Sequence, residues 1–277
     1  MNPTTPHPTP MPGPGTTRPA HRRWIACCTL ALVLPSLHGT ARAEEPASLS
    51  FNVGAVSEYR YRGISQTRFS PALQGGVDYA LPSGWYVGAW GSTIRWVKDA
   101  FGNAPLEVDL YGGYKTEIAK NVTIDAGLLQ YLYPNAKTPA WSAAYKDPNT
   151  LEAYGALSVG PVTAKLSYAL TDLFGNYDFA AGRSSKGSTY LDLSGSFDVG
   201  GGVMLTPHIG YQRVRNIGNA SYADFSLAVS KDFGGIVPSL TLVGTNADKT
   251  FYVPGGAANS TRFLGRTTVV LGLKAVF

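Results

Sequence analysis

The residues of this chain that could act chemically are carboxylates spread along segments of alternating polarity. Asp192, Asp198 and Asp224 could pair as acid and base in a hydrolytic reaction. Each of them also lies at a polar position of a segment in which polar and apolar residues alternate, which is the pattern of a strand with one polar face. Hydration of that polar face is the simpler interpretation of these carboxylates.

His208 is the single histidine after residue 43, and both cysteines lie before residue 43. Multi-histidine and thiolate metal sites, disulfides and cysteine nucleophiles are therefore excluded for residues 44–277, and we expect no cofactor and no metal. Outer-membrane phospholipases carry a histidine two residues before their nucleophilic serine, whereas Ile209 and Gly210 follow His208. We expect no enzymatic activity and interpret His208 as a hydrogen-bonded residue of a strand.

Charge is sparse in this chain of 277 residues, 15% against about 25% in soluble globular proteins. The net charge of +5 comes mostly from the first 43 residues, which hold four arginines and no acid. Residues 44–277 keep 19 of the 23 basic residues and all 18 acidic ones, and are therefore almost neutral. A broad basic surface is absent from this composition, so no nucleic-acid partner is expected.

The first 43 residues have the features of an export signal. An extended region over 1–20 leads to Arg22-Arg23, an apolar run from Trp24 to Leu34, and a small residue at Ala43. A basic flank, a short apolar run and a small-x-small end predict a secretory signal peptide cleaved after Ala43. The run is shorter than the roughly 20 residues that a membrane helix needs. The mature domain is predicted to be 44–277.

Residues 44–277 alternate between apolar and polar types with period two, which predicts strands. Around Leu191 and Leu193, for example, the intervening positions are Tyr190, Asp192 and Ser194. Helical spacing fits these segments less well. Twelve strands are predicted, at about 48–62, 71–80, 85–97, 106–116, 122–133, 150–159, 162–171, 188–199, 203–213, 221–230, 236–245 and 264–277.

The connections between these strands alternate between short and long, which is typical of an up-and-down meander. The longest are 134–149, 172–187 and 246–263. The polar parity is rich in Ser, Thr, Gly and Tyr and poor in Lys and Glu, and the apolar parity lacks the large, varied side chains of a packed core. Aromatic residues lie near the predicted strand ends: Tyr79, Trp85, Phe197, Phe233 and Phe277 at the short-turn end, and Trp96, Tyr168, Tyr211 and Phe263 at the other. These features favour a transmembrane β-barrel over a lipocalin-like barrel or a β-sandwich, which would bury the apolar parity.

In a transmembrane barrel the polar parity faces a lumen, and its charged residues become candidate lining. We predict that the lumen and its mouth are lined by Glu58, Arg60, Arg62, Glu107, Asp109, Glu152, Lys165, His208, Arg262 and Arg266. Closure of the barrel should bring Arg60 and Arg62 near Arg262 and Arg266, where gathered arginines could attract anions. The alternative, which the balanced charge favours, is that the arginines pair with Glu58, Glu107 and Glu152.

The end of the chain and its first hairpin carry resemblances to known proteins. The last predicted strand ends in Phe277, and a terminal aromatic residue resembles the signal read by the outer-membrane barrel assembly machinery. The stretch FNVGAVSEYRYRGISQT (51–67) with PALQGGVDY (71–79), EVDLYGGY (107–114) and KDFGG (231–235) resembles the TorF-type family of proteobacterial porins. The resemblance covers nearly all of 48–277. It implies an outer-membrane location in a Gram-negative bacterium and a porin-like role, with no substrate or catalytic residue to carry over.

The sequence therefore predicts an all-β fold, a single twelve-stranded, up-and-down antiparallel barrel across the lipid bilayer of the outer membrane. With a lumen on the order of 10 Å, it should pass ions or small hydrophilic solutes down their gradients. Both ends and the short turns should be periplasmic. One alternative is a non-conducting structural or adhesive barrel that acts through its long external loops; another is a secreted soluble β protein.

Overall fold

The alternating segments form one closed antiparallel barrel in the computed structural model of the chain. The structure describes residues 47–100, 102, 104–137, 146–254 and 262–277. The predicted signal peptide, 1–43, and its cleavage after Ala43 lie outside the described residues. None of the described helices is long and apolar enough to cross a membrane.

Twelve strands make the wall of the barrel. They are β1 (Ser48–Val56), β2 (Ala72–Ala80), β3 (Trp85–Thr93), β4 (Leu106–Ala119), β5 (Val122–Leu132), β6 (Thr150–Val159), β7 (Val162–Ala169), β8 (Thr189–Gly195, continued by Phe197–Asp198), β9 (Val203–Arg213), β10 (Tyr222–Lys231), β11 (Ile236–Thr245) and β12 (Thr268–Val276). In the described parts of the connections lie one short helix, α1 (Trp96–Ala100), and two 3₁₀ turns, Leu173–Gly175 and Gly218–Ala220.

Each strand pairs with its sequence neighbours, and the barrel closes between β1 and β12. The seam runs from Asn52 opposite Val276 to Val56 opposite Gly272. The predicted meander of twelve strands is therefore confirmed. Because a closed barrel leaves no strand edge, the main-chain donors and acceptors of the wall are paired within the ring.

The apolar parity points out of the barrel and the polar parity points in. On β8, Leu191 is 54% exposed while the neighbouring Tyr190 is 6% exposed. Leu73, Leu227 and Leu271, which lie on other strands, are also exposed on the outside of the barrel. The interior holds buried Ser, Thr, Tyr and charged side chains in place of a dry apolar core. A soluble barrel or sandwich requires the opposite arrangement.

The main departures from the predicted strands occur at the mouth formed by the long connections. The first strand ends at Val56 and the third at Thr93, several residues earlier than the sequence pattern indicates. Trp96 and Phe263, which were predicted to stand in an aromatic belt, instead pack against buried residues at the mouth. At the opposite end the exposed belt residues are as predicted, namely Tyr79, Trp85, Phe197, Phe233 and Phe277.

Candidate functional site

A hairpin in the connection between β1 and β2 folds into the barrel. Its two short strands, Arg60–Tyr61 and Ile64–Ser65, are joined by a two-residue turn. Arg62 and Gly63 both have positive φ, 45° and 77°, as the tight hairpin turns that match strand twist require. A Cβ at Gly63 would collide with the side chains of Thr245 and Asp224. The tip of the hairpin therefore lies directly against β10 and β11.

Arg62, at the tip of this hairpin, is held by the opposite wall. Its Nη2 lies 2.7 Å from Glu152 Oε2, its Nη1 donates to Glu152 Oε1 at 3.1 Å, and the same nitrogen donates to Gln212 Oε1 at 2.6 Å. The guanidinium also lies 4.2 Å from the ring centre of Tyr190. A forked ion pair with a stacked aromatic ring is the arrangement that arginine makes better than lysine. The hairpin is thereby fixed to β6 and β9.

Arg60 is directed to the mouth. Its Nε lies 2.7 Å from Glu58 Oε1, and its Nη1 donates to the carbonyl oxygen of Leu264 at 2.6 Å. The guanidinium groups of Arg60 and Arg266 lie 5.6 Å and 3.9 Å from the ring centre of Phe69, and that of Arg262 lies 5.9 Å from it. Barrel closure thus brings Arg60, Arg262 and Arg266 together, as the sequence indicates. Arg62 is not part of this group.

Glu107 and Asp109 point inward from β4 and lie among aromatic residues. Glu107 accepts a hydrogen bond from the hydroxyl of Tyr59 at 2.7 Å, so it pairs with a tyrosine and not with an arginine as one interpretation of the sequence proposed. Asp109 is 1% exposed, and neither of its carboxylate oxygens has a hydrogen-bond partner among the described residues. The expected arginine pairing therefore applies to Glu58 and Glu152 and not to Glu107.

An aromatic layer covers the hairpin on the side of the mouth. The rings of Tyr61 and Phe174 lie 5.5 Å apart, and that of Phe174 lies 5.3 Å from Tyr131. Tyr61 and Tyr131 also share a hydrogen bond of 2.6 Å between their hydroxyls. Trp96 extends the layer towards Tyr133, with ring centres 5.1 Å apart. This half of the mouth is filled by side chains.

A small cavity of about 50 Å³ lies inside the barrel beside the hairpin. His208 contacts Asp192 through Nε2 at 2.8 Å, and its Nδ1 lies 3.6 Å from Asp224 Oδ1. The hydroxyl of Tyr190 donates to Asp224 at 3.0 Å and lies 3.1 Å from His208 Nε2. Lys165 also lines the cavity and lies over the ring of Tyr154, 4.0 Å from its centre. A volume of this size holds a few water molecules.

The tyrosines of this site are the functional residues that sequence reasoning missed. Tyr131 and Tyr190 share the parity of the charged lining residues on their strands, which is the signal that identifies them. Tyr59 and Tyr61 carry no such signal, because the parity of β1 stops at Val56. Among the described residues no group of three or more His, Cys, Asp or Glu side chains could hold a metal ion.

Several solved structures are similar to this chain. KdgM porin aligns with a TM-score of 0.49 and 9% identity, over 82% of this chain and 99% of KdgM. OprD of Pseudomonas aeruginosa aligns with a TM-score of 0.37 and 12% identity, over 83% of this chain and 66% of OprD. OccAB3 of Acinetobacter baumannii aligns with a TM-score of 0.38 and 13% identity, over 83% and 64% of the two chains.

Sequence comparison identifies a family. No curated protein sequence shows significant similarity to this chain. Residues 40–277 match a family model described as a bacterial protein of unknown function (Gcw_chp). The resemblance to TorF-type porins stays a prediction, because the matching model bears a different name. The match spans the whole barrel, and the chain belongs to the Gcw_chp family of bacterial proteins.

Proposed function

We propose that this protein is an outer-membrane channel for the passive diffusion of ions or small hydrophilic solutes. The observation that carries the proposal is the orientation of the two faces of the wall. Leu, Val and aromatic side chains cover the outside, where lipid tails would surround them, and charged and hydroxyl side chains face the bore. This is the arrangement of transmembrane barrels, whose interior is hydrated.

The hairpin between β1 and β2 sets the width of the proposed path. With Arg62 bound to Glu152 and Gln212, the hairpin lies across the interior, and the cavity beside it accommodates only a few waters. We therefore expect a small conductance from the native protein. Displacement of the hairpin would join the cavity beside it to the mouth and widen the path.

The charges that face the bore favour cations over anions. Arg60 and Arg62 are both compensated by carboxylates, which weakens the anion attraction that their clustering suggests. Apart from Arg262 and Arg266 at the mouth, the acidic side chains that point inward outnumber the basic ones, eight to five. The acidic set is Glu58, Asp78, Glu107, Asp109, Asp125, Glu152, Asp192 and Asp224, and the basic set is Arg60, Arg62, Lys115, Lys165 and Lys274. A ring of acidic side chains is a common basis of cation selectivity.

Single-channel recording in planar lipid bilayers tests the proposal. The first sample is the native protein, and the second is a variant in which residues 58–66 are replaced by a short Gly-Ser linker. The control is a variant with the same replacement at 178–183, an external hairpin away from the bore. We expect a several-fold larger conductance from the first variant only, with a reversal potential on the cation side in a salt gradient.

A folded barrel with no conductance in either the native protein or the 58–66 variant would reject the channel. That result would favour the second candidate, a non-conducting structural or adhesive barrel that acts through its long external loops. The layer formed by Tyr61, Tyr131, Phe174 and Trp96 favours this candidate, because it fills part of the mouth. Migration of unheated samples on denaturing gels would show that each variant is folded.

Export and assembly are part of the same proposal. Residues 1–43 would direct secretion and be removed after Ala43, so the mature chain would begin at Glu44. The intact mass of protein purified from outer membranes tests this boundary. Phe277 would then serve as the recognition signal for the barrel assembly machinery.

A further inference from the structure

His208 lies inside the barrel between the carboxylates of two neighbouring strands. Its Nε2 lies 2.8 Å from Asp192 Oδ2 on β8, and its Nδ1 lies 3.6 Å from Asp224 Oδ1 on β10. The side chain is buried and lines the cavity beside the inward hairpin. A histidine between two carboxylates is a counter-charge when it is protonated and a neutral hydrogen-bonding group when it is not.

The inward hairpin adds two positive charges to this cavity, and both are already compensated. Arg60 and Arg62 line the cavity. The guanidinium of Arg60 lies 2.7 Å from the carboxylate of Glu58, and that of Arg62 lies 2.7 Å from the carboxylate of Glu152. Each pair brings one positive and one negative charge, so its effect on a passing ion is largely cancelled. The net charge of the cavity is therefore set by the strands.

The strands contribute one cation and two carboxylates besides His208. Lys165 on β7 stands opposite Asp192 in the register of β7 and β8, and Asp224 lines the same cavity from β10. The tyrosines of the lining, which are neutral at ordinary pH, are Tyr61, Tyr131 and Tyr190. With His208 protonated, two positive charges face two negative ones. With His208 neutral, one negative charge is in excess.

Both charge states of His208 fit the surrounding hydrogen bonds. Its Nδ1 has no hydrogen-bond partner among the described residues, so gain or loss of a proton there breaks no contact of the wall. Its Nε2 keeps Asp192 and Tyr190 as neighbours, and the Tyr190 hydroxyl, 3.1 Å away, donates to Asp224. Among the side-chain types of this lining, histidine is the one that ordinarily changes charge between about pH 5 and 8.

We propose that His208 determines the ion selectivity of this channel, because its charge sets the net charge of the cavity beside the hairpin. When His208 is neutral, the excess carboxylate charge favours the passage of cations such as K⁺. When His208 is protonated, the charges balance and discrimination between cations and anions is weak. One charge has a large effect here, because the cavity holds only a few waters to screen it. The inference rests on the proposed channel function, since selectivity is a property of a conducting barrel.

Reversal potentials of the full mature protein in a KCl gradient across planar bilayers test this role. We compare the native protein, His208→Gln and a control, Asp178→Asn/Arg183→Gln, which removes an exposed ion pair of an external connection. In the native protein and the control, the permeability ratio of K⁺ to Cl⁻ should rise several-fold between about pH 5 and 8. In His208→Gln the ratio should be independent of pH and close to the native value at the higher pH, because the side chain stays neutral throughout.

Nuclear magnetic resonance measures the charge of His208 without any conduction. Residues 44–277 contain this single histidine, so mature protein labelled at histidine and purified without a histidine tag gives one ring signal. We expect that signal to shift between about pH 5 and 8 as the ring loses its charge. A ring that keeps one charge state throughout this range would overturn the proposal, whatever the conductance.

Two electrical results would also overturn it. One is a native permeability ratio that is the same at both pH values; the other is an unchanged pH dependence in His208→Gln. Either result in a conducting barrel rejects this role of His208 and leaves the channel function standing. Absence of conductance from folded native protein at both pH values rejects the channel itself, and the selectivity role with it.

Discussion

Arg62 and Glu152 form a forked ion pair across the interior of the barrel, with distances of 2.7 Å and 3.1 Å between their nitrogen and oxygen atoms. Arg62 lies in the connection between β1 and β2, whereas Glu152 lies on β6, almost opposite in the ring. Both side chains are almost fully buried. The pair therefore holds the connection between β1 and β2 against the wall of the barrel.

Replacement of Glu152 by glutamine should release the hairpin. The variant leaves the guanidinium of Arg62 buried without its counter-charge, which typically costs 3–5 kcal/mol in a protein interior, and movement of the hairpin would relieve that cost. We expect a larger single-channel conductance and a free energy of unfolding lower by about 3 kcal/mol or less. Bilayer recording and urea titration of the refolded protein measure the two effects.

The double variant Arg62→Gln/Glu152→Gln provides the control for this pair. With both charges removed, stability should recover most of the loss, because no buried charge is left uncompensated. Conductance should stay raised, since the crosslink to β6 is still missing. Additive losses of stability in the double variant would show that the two residues act separately.

Substitution of Gly63 tests the contact between the hairpin tip and the barrel wall without changing any charge. Gly63→Ala places a methyl group against Thr245 and Asp224 at a residue with φ of 77°. A side chain in this backbone region costs about 1–3 kcal/mol. We expect the tip to lift and conductance to rise, as measured in planar bilayers. Gly155→Ala on β6 is the matched control, because a Cβ there has open space and should leave both properties unchanged.

The wall of the barrel can be predicted from the sequence, because the pattern that determines it lies within each strand and turn. Alternation of polar and apolar residues determines which face of each strand meets which surroundings, and short turns order the strands. The lining positions Glu107, Asp109, Glu152, Lys165 and His208 follow from that same alternation. Their parity is enough to place them inside without any knowledge of their partners.

The inward hairpin could not be predicted in this way. In the sequence the alternation of β1 continues to Arg62, because Glu58, Arg60 and Arg62 keep the polar parity. In the structure the strand ends at Val56, and the positive φ at Arg62 reverses the chain. The contacts that stabilise this turn come from β6 and β9, about 90 and 150 residues away. The residues near Arg62 in the sequence therefore do not reveal these distant partners.

The orientation of the apolar face predicts how much a charged substitution at each depth should destabilise the protein in lipid. Leu227 lies at the middle of β10, and Leu227→Arg would place a charge in the hydrocarbon, at a cost of about 2–4 kcal/mol. Tyr211→Arg, near the rim on β9, should cost about 1 kcal/mol or less because the side chain reaches the headgroups. Urea titration in phospholipid vesicles measures both. Equal costs at the two positions would contradict a membrane boundary between them.

Substitution of Phe277 should reduce assembly in cells without lowering the stability of the folded protein. Its side chain is 74% exposed, while its backbone amide donates to the carbonyl oxygen of Phe51 at 2.9 Å across the seam. Phe277→Ala keeps this backbone bond, so the purified variant should refold in detergent with a stability within about 1 kcal/mol of the native protein, as is usual for exposed positions.

In cells the same variant should fail to accumulate in the outer membrane if Phe277 is the assembly signal. Phe233 is another exposed aromatic residue at the same end of the barrel, so Phe233→Ala is the control and should accumulate normally. Immunoblots of outer-membrane fractions, with folded barrels identified by their migration before heating, measure the difference. Equal accumulation of the two variants would assign Phe277 to the aromatic belt alone, because the two residues share that surrounding and differ in their position at the end of the chain.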